Sequence, residues 1–143
     1  MGKIIERSAN TCLLLPEGTY SVRFKGFEAT MYLGRAPKIC AEFQIISMGS
    51  YFGMLIYRWW NVQPTGKKLT NKSWKVGKAS NLFREYAGIT GSVPSRLDRI
   101  PLTELSNYPI RAEVTTVKED RVQKAIPEAA RYSIISELSK GFL

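Results

Sequence analysis

Tyr57, Arg58, Trp59 and Trp60 stand together in the stretch YFGMLIYRWWNV, residues Tyr51–Val62, and a lysine-rich segment follows at once. Flat rings beside cations suit one kind of chemistry. Unpaired nucleobases stack on aromatic rings, at about 1–3 kcal/mol per base, while lysines and arginines track the phosphates. Arg58 can pair with a phosphate or stack on a base. The candidate phosphate contacts are Lys67, Lys68, Lys72, Lys75 and Lys78. From Arg58 to Glu85 seven basic residues are set against Glu85 alone, and seven minus one leaves +6 of the net +9 in 28 residues. A surplus so concentrated favours a polyanion partner.

Other chemistries are excluded by composition. The chain has no histidine, which removes Ser-His-Asp and Cys-His nucleophilic sites, His-ligated zinc and imidazole base catalysis. Cys12 and Cys40 are isolated thiols without CxxC spacing, read as reduced cysteines of a cytoplasmic protein. Asp98 and Asp120 are the only aspartates, whereas a metal nuclease needs clustered carboxylates. Glu28, Glu42 and Glu113 are scattered and read as cross-strand charge partners. We therefore expect no enzyme, no catalytic residue, no metal and no cofactor. No apolar run of about 18 residues spans a membrane, and the N-terminus lacks a signal-peptide pattern.

The aromatic stretch must be a strand, since its residues are aromatic, β-branched or long apolar. Alternation puts Tyr51, Leu55, Tyr57 and Trp59 on one face and Phe52, Met54, Ile56, Arg58 and Trp60 on the other. Either the strand is buried on both faces or one face shows its rings to a ligand. An unpaired buried guanidinium is costly, so Arg58 favours the ligand, with core packing as the alternative. Only one of Trp59 and Trp60 can face solvent.

The remaining elements follow in order. Residues 1–17 read as a short leader and 18–143 as a single domain. Tyr20, Val22 and Phe24 alternate with Ser21, Arg23 and Lys25 in a first strand with a basic outer face, which Gly26 bends before it resumes to Leu33. A second strand covers Ile39–Ile46. A helix is expected over Lys75–Ala87, with Ala79, Leu82, Phe83 and Tyr86 as its apolar stripe. Strands at Pro109–Val117 and Tyr132–Leu138 complete the chain, the last with Tyr132, Ile134 and Leu138 on one face.

This order predicts a mainly β domain: a five-stranded oligonucleotide/oligosaccharide-binding (OB-fold) barrel with one helix between strands 3 and 4. In such barrels strands 2 and 3 form the binding face, and the 1–2 and 4–5 loops wall the groove. The 1–2 loop carries Arg35 and Lys38, and the 4–5 loop carries Lys118, Arg121, Lys124 and Arg131. With Arg23 and Lys25 of strand 1 these cations surround the aromatic strand. Duplex readers usually insert a recognition helix, whereas the one helix here spends its stripe on the core. The expected partner is single-stranded DNA, and the same contacts admit RNA.

The segments GTYSVRFKGFEA, APKICAEFQII with YFGMLIYRWWNV, and NLFREYAGITG resemble small OB-fold single-stranded DNA-binding proteins encoded by phages and mobile elements. The resemblance covers roughly Gly18 to Leu138 and implies a role in DNA replication or recombination. One departure is the terminal ELSKGFL, which is not the acidic partner-recruiting tail of bacterial single-strand binding proteins. A different class stays open beside it. The same aromatic and basic patch would serve a protein–protein accessory module of a replication complex, or an inhibitor docking on an acidic partner. Contact with replication or recombination proteins and self-association are compatible with either.

Overall fold

The computed structural model describes residues 14–32, 34–117 and 132–141 of the 143-residue chain. Strand β1 covers Gly18–Tyr32, β2 Ala36–Ile45, β3 Leu55–Asn61, β4 Gln63–Pro64 and β5 Trp74–Lys75. Helix α1 covers Asn81–Thr90, a 3₁₀ helix Leu102–Asn107, β6 Ile110–Val117 and β7 Tyr132–Lys140. The long strands form one antiparallel sheet in the order β3-β2-β1-β6-β7, and β4 pairs with β5 alone. A mainly β architecture is therefore correct. The end strands β3 and β7 approach each other but share no hydrogen-bonded ladder, so pairing does not close the sheet into a barrel.

The helix is displaced from its expected position. The loop after β3 folds into the β4–β5 hairpin, and α1 begins only at Asn81, after β5, rather than at Lys75. Capping explains the start: Ser80 holds an extended backbone, and its hydroxyl accepts the Phe83 N–H at 3.2 Å. Gly91 ends the helix at φ 72°, its N–H donating to the Ala87 carbonyl at 2.9 Å. The buried stripe is Leu82, Glu85, Tyr86 and Ile89, so Ala79 lies outside the helix and a carboxylate takes a core position.

Strand β1 is central because it pairs with β2 along most of its length and with β6 over Gly18–Val22. Its register shifts between Phe24 and Gly26, leaving Lys25 as the extra residue of a bulge. Val22 and Phe24 point inward before the bulge, and Phe27 and Ala29 pack on the core after it. Phe24 meets Phe43 of β2 edge to face, with centroids 5.5 Å apart.

A second register shift corrects the reading of the last strand. Glu113 pairs with Glu137 but Val114 pairs with Ile135, so Ser136 is the extra residue. Its hydroxyl donates to the Glu113 carbonyl at 3.2 Å. Ser133, Ile135 and Leu138 are consequently the buried residues, and Tyr132 and Ile134 are only half-buried. Strict alternation cannot place Ile135 and Leu138 on one face. The bulge does.

The core draws on every long strand, on α1 and on the 3₁₀ helix, and Leu15 belongs to it. The Leu15 N–H donates to the Ser133 hydroxyl at 2.7 Å, and that hydroxyl donates back to the Leu15 carbonyl at 3.2 Å. Among the described residues no helix is long and apolar enough to cross a membrane. At the far end of β7, a Cβ on Gly141 would stand 3.0 Å from the Ile110 backbone nitrogen. Gly141→Ala must push two backbones apart and should destabilise the fold by about 1–3 kcal/mol, read as a lower urea midpoint.

Candidate nucleic-acid interface

The outer face of β1, β2 and β3 follows from their alternation. On β2, Ile39, Ala41, Phe43 and Ile45 fill the core, so Lys38, Cys40, Glu42 and Gln44 take the other side. On β3, Ile56, Arg58 and Trp60 point inward, leaving half-buried Leu55, Tyr57 and Trp59 outward. The register sets Trp59 opposite Cys40 and Tyr57 opposite Glu42. Beyond the β1 bulge, Glu28 lies opposite Cys40 and Thr30 opposite Lys38, which brings Tyr32 to the outer face as well.

Three side chains then meet at one end of this face. Tyr32 and Trp59 pack edge to face with centroids 5.1 Å apart, and the Lys38 Nζ sits 5.0 Å from the Tyr32 centroid. Tyr57 continues the aromatic row, its hydroxyl donating to Glu42 Oε2 at 3.3 Å. Arg35 is exposed in the adjoining β1–β2 turn. The β4–β5 hairpin reaches the same end. Val62 N–H donates to the Pro37 carbonyl at 3.2 Å, and Asn71 Oδ1 accepts the Ala29 N–H at 2.7 Å. Exposed Lys67, Lys68 and Lys72 lie on that hairpin. Arg23 and Lys25 extend outward further along β1. None of these arginines and lysines forms an ion pair among the described residues.

Glu28 and Glu42 lie on either side of the Trp59–Cys40 pair in the sheet register. Cys40 is fully buried beneath this layer. Burial first, then the Glu28 and Glu42 carboxylates, hold its thiol well above its ordinary pKa. Since the thiolate is the reactive form, a Cys12→Ser variant should show no thiol titre with Ellman's reagent until denaturant is added. A stoichiometric reaction in the folded state would contradict this burial.

Two residues expected at the interface are turned away from it. Arg58 is 8% exposed, and Glu85 of α1 takes its charge: Nε donates to Oε1 at 3.0 Å and NH2 to Oε2 at 2.6 Å. Its NH1 donates to the Trp59 carbonyl at 3.2 Å. Trp60 is 2% exposed, and its indole N–H donates to the same Glu85 Oε1 at 3.0 Å. The buried guanidinium is therefore paired, which removes the reason for turning it to a ligand. Trp59, not Trp60, is the tryptophan on the outer face.

Lys75 and Lys78 do not join the aromatic row but line a separate groove with Phe83 and Val93. Lys118, Arg121, Lys124 and Arg131 lie outside the described residues. Tyr32 is the one member that sequence reading missed. Counting alternate residues from Tyr20 puts Tyr32 inward, and only the bulge at Lys25 reverses that parity. The signal was present in Gly26, which marked the break. Comparison with protein-family models, curated proteins and solved structures finds no match for this chain.

Proposed function

We propose that the outer face of β1–β3 binds single-stranded nucleic acid, DNA in the first place, without catalysis. The observation that carries this reading is the Tyr32–Trp59–Lys38 cluster on the outer sheet face, with cations around it that form no ion pair among the described residues. Trp59 and Tyr57 offer rings for bases, while Arg23, Lys25, Arg35, Lys38, Lys67, Lys68 and Lys72 hold the phosphates at the rim. The fold belongs to the OB type in this reading, supported by a bent central β1 and by end strands that approach each other. Its setting is the replication or recombination machinery of a phage or mobile element, in the cytoplasm.

Anisotropy of a labelled poly-dT oligonucleotide tests this, beside a duplex and an RNA of equal length. Tight binding of the single strand, weakening steeply with salt, is the expected result. Equal or better binding of the duplex overturns it. A second reading, a protein–protein accessory module, has one observation in its favour: Met48 is 93% and Phe52 61% exposed in the uncharged β2–β3 connection. That reading predicts no oligonucleotide binding at moderate salt.

A further inference from the structure

Part of the basic surplus has apolar company that a phosphate track does not need. Lys75 follows Trp74 on β5, and Lys78 precedes the α1 cap; both are exposed. Together with Phe83, Val93, Pro94 and Leu97 they line a groove of about 620 Å³. None of Tyr32, Lys38, Tyr57 or Trp59 lines it. The groove is preformed. The Val76 N–H donates to the Leu97 carbonyl at 3.2 Å, joining its two walls, and the Ser80 N–H donates to the Gly77 carbonyl at 3.1 Å.

We propose that this groove is a second binding site, independent of the nucleic-acid face, for an acidic segment of a partner protein carrying an apolar anchor. Charge complementarity selects the occupant. Neither lysine forms an ion pair among the described residues. The carboxylate at the rim, Asp98, is already held by Arg96 through hydrogen bonds of 3.0 and 2.8 Å. The groove therefore offers two uncompensated positive charges around an apolar floor. Val93 is 72% exposed and half-buried Phe83, Pro94 and Leu97 adjoin it in the groove, so the apolar surface is contiguous rather than a single side chain. Phe83 is the one aromatic ring in the lining, and aliphatic Val93, Pro94 and Leu97 surround it, so a leucine or phenylalanine side chain fits among them better than a run of stacked bases. Carboxylates on either side of that anchor would meet Lys75 and Lys78.

The test is a fluorescein-labelled nine-residue peptide with a central Leu-Phe pair between aspartates and glutamates, titrated with the full chain at moderate salt. A control peptide carries Ala-Ala in place of Leu-Phe. The expected result is at least tenfold tighter binding of the Leu-Phe peptide than of its control. That preference should be lost in Val93→Asp and sharply reduced in Lys75→Ala/Lys78→Ala, with melting temperatures little changed and poly-dT still bound by both. Equal binding of the two peptides would reduce the effect to net charge and overturn the proposal. Displacement of the bound peptide by poly-dT would overturn it too, by making the groove part of the nucleic-acid path. Failure of poly-dT to bind anywhere would sink the nucleic-acid reading and leave the peptide result standing.

Discussion

Glu85→Ala is expected to destabilise the fold by about 3–5 kcal/mol, because it strands a buried guanidinium without its counter-charge. Glu85 accepts from Arg58 Nε and NH2 and from the Trp60 indole, so one truncation leaves three donors short of their acceptor. It also removes the ion pair that ties α1 to β3, while the helix keeps its packing on β7 and on the 3₁₀ helix. The loss is a large part of the about 5–15 kcal/mol that stabilises an ordinary domain. Urea unfolding should show it as a lower midpoint at nearly constant slope. The paired variant Arg58→Met/Glu85→Leu should recover part of the loss, since an apolar pair of similar volume needs no counter-charge, less the cost of the buried Trp60 indole N–H, which then lacks its acceptor. A Glu85→Ala variant within about 0.5 kcal/mol of the parent, the range of ordinary surface substitutions, would mean that the pair is not buried as described.

Trp59→Ala carries the second large effect, on binding rather than on folding. Losing one stacking platform should weaken single-strand binding by about 1–3 kcal/mol, which is about 5- to 150-fold in affinity. Its stability change should be much smaller than that of Glu85→Ala, because Trp59 is only half-buried, whereas the indole bonded to Glu85 is that of Trp60. Trp59→Phe keeps a ring and should retain most of the affinity. Tyr32→Ala should follow Trp59→Ala in direction, since Tyr32 braces the indole edge to face. Lys38→Ala should instead act evenly across sequences and lower the salt slope by about 1, as loss of a phosphate contact does. Measured oligonucleotide affinity unchanged in Trp59→Ala would move the interface elsewhere.

Sequence reasoning recovered much of the sheet and lost the long-range pairing. The alternation of Ile39–Ile45 and Ile110–Val114 names their core faces correctly, because strict period 2 survives there without interruption. At Lys25 and Ser136 it does not survive. A bulge adds one residue and flips every later side chain, so strict alternation misses Tyr32 and groups Tyr132 and Ile134 with Leu138, whose true face-mate is Ile135. The two faces of the aromatic strand are separated correctly only over residues 55–60. Residues 51–54 fall in the turn before β3, where Phe52 and Met54 are exposed and Tyr51 packs on the core. The occupant of the buried face is misjudged as well. Arg58 looked unpaired because its partner lies 27 residues away on another element, where local spacing gives no hint of contact. Glu85 had counted only as the lone acid in a basic segment. Removing both members of that pair leaves the net charge of the segment unchanged. What changes is its division: Lys67 and Lys68 lie on the hairpin, Lys72 lines a pocket with Phe27, Trp74 and Asp98, and Lys75 and Lys78 line the groove that shares Asp98. Composition can count such a surplus, but only the fold assigns its parts to surfaces.

Intrinsic tryptophan fluorescence, titrated with poly-dT at low salt, tests the central claim most directly. Of the three tryptophans, Trp60 is 2% and Trp74 4% exposed, so Trp59 is the indole that a bound base can reach. Strong quenching by the single strand, reversed by added salt and absent in Trp59→Phe while that variant still binds, is the predicted result. Binding of poly-dT with unchanged emission from the parent protein would contradict it, because the strand would then be passing over some other face.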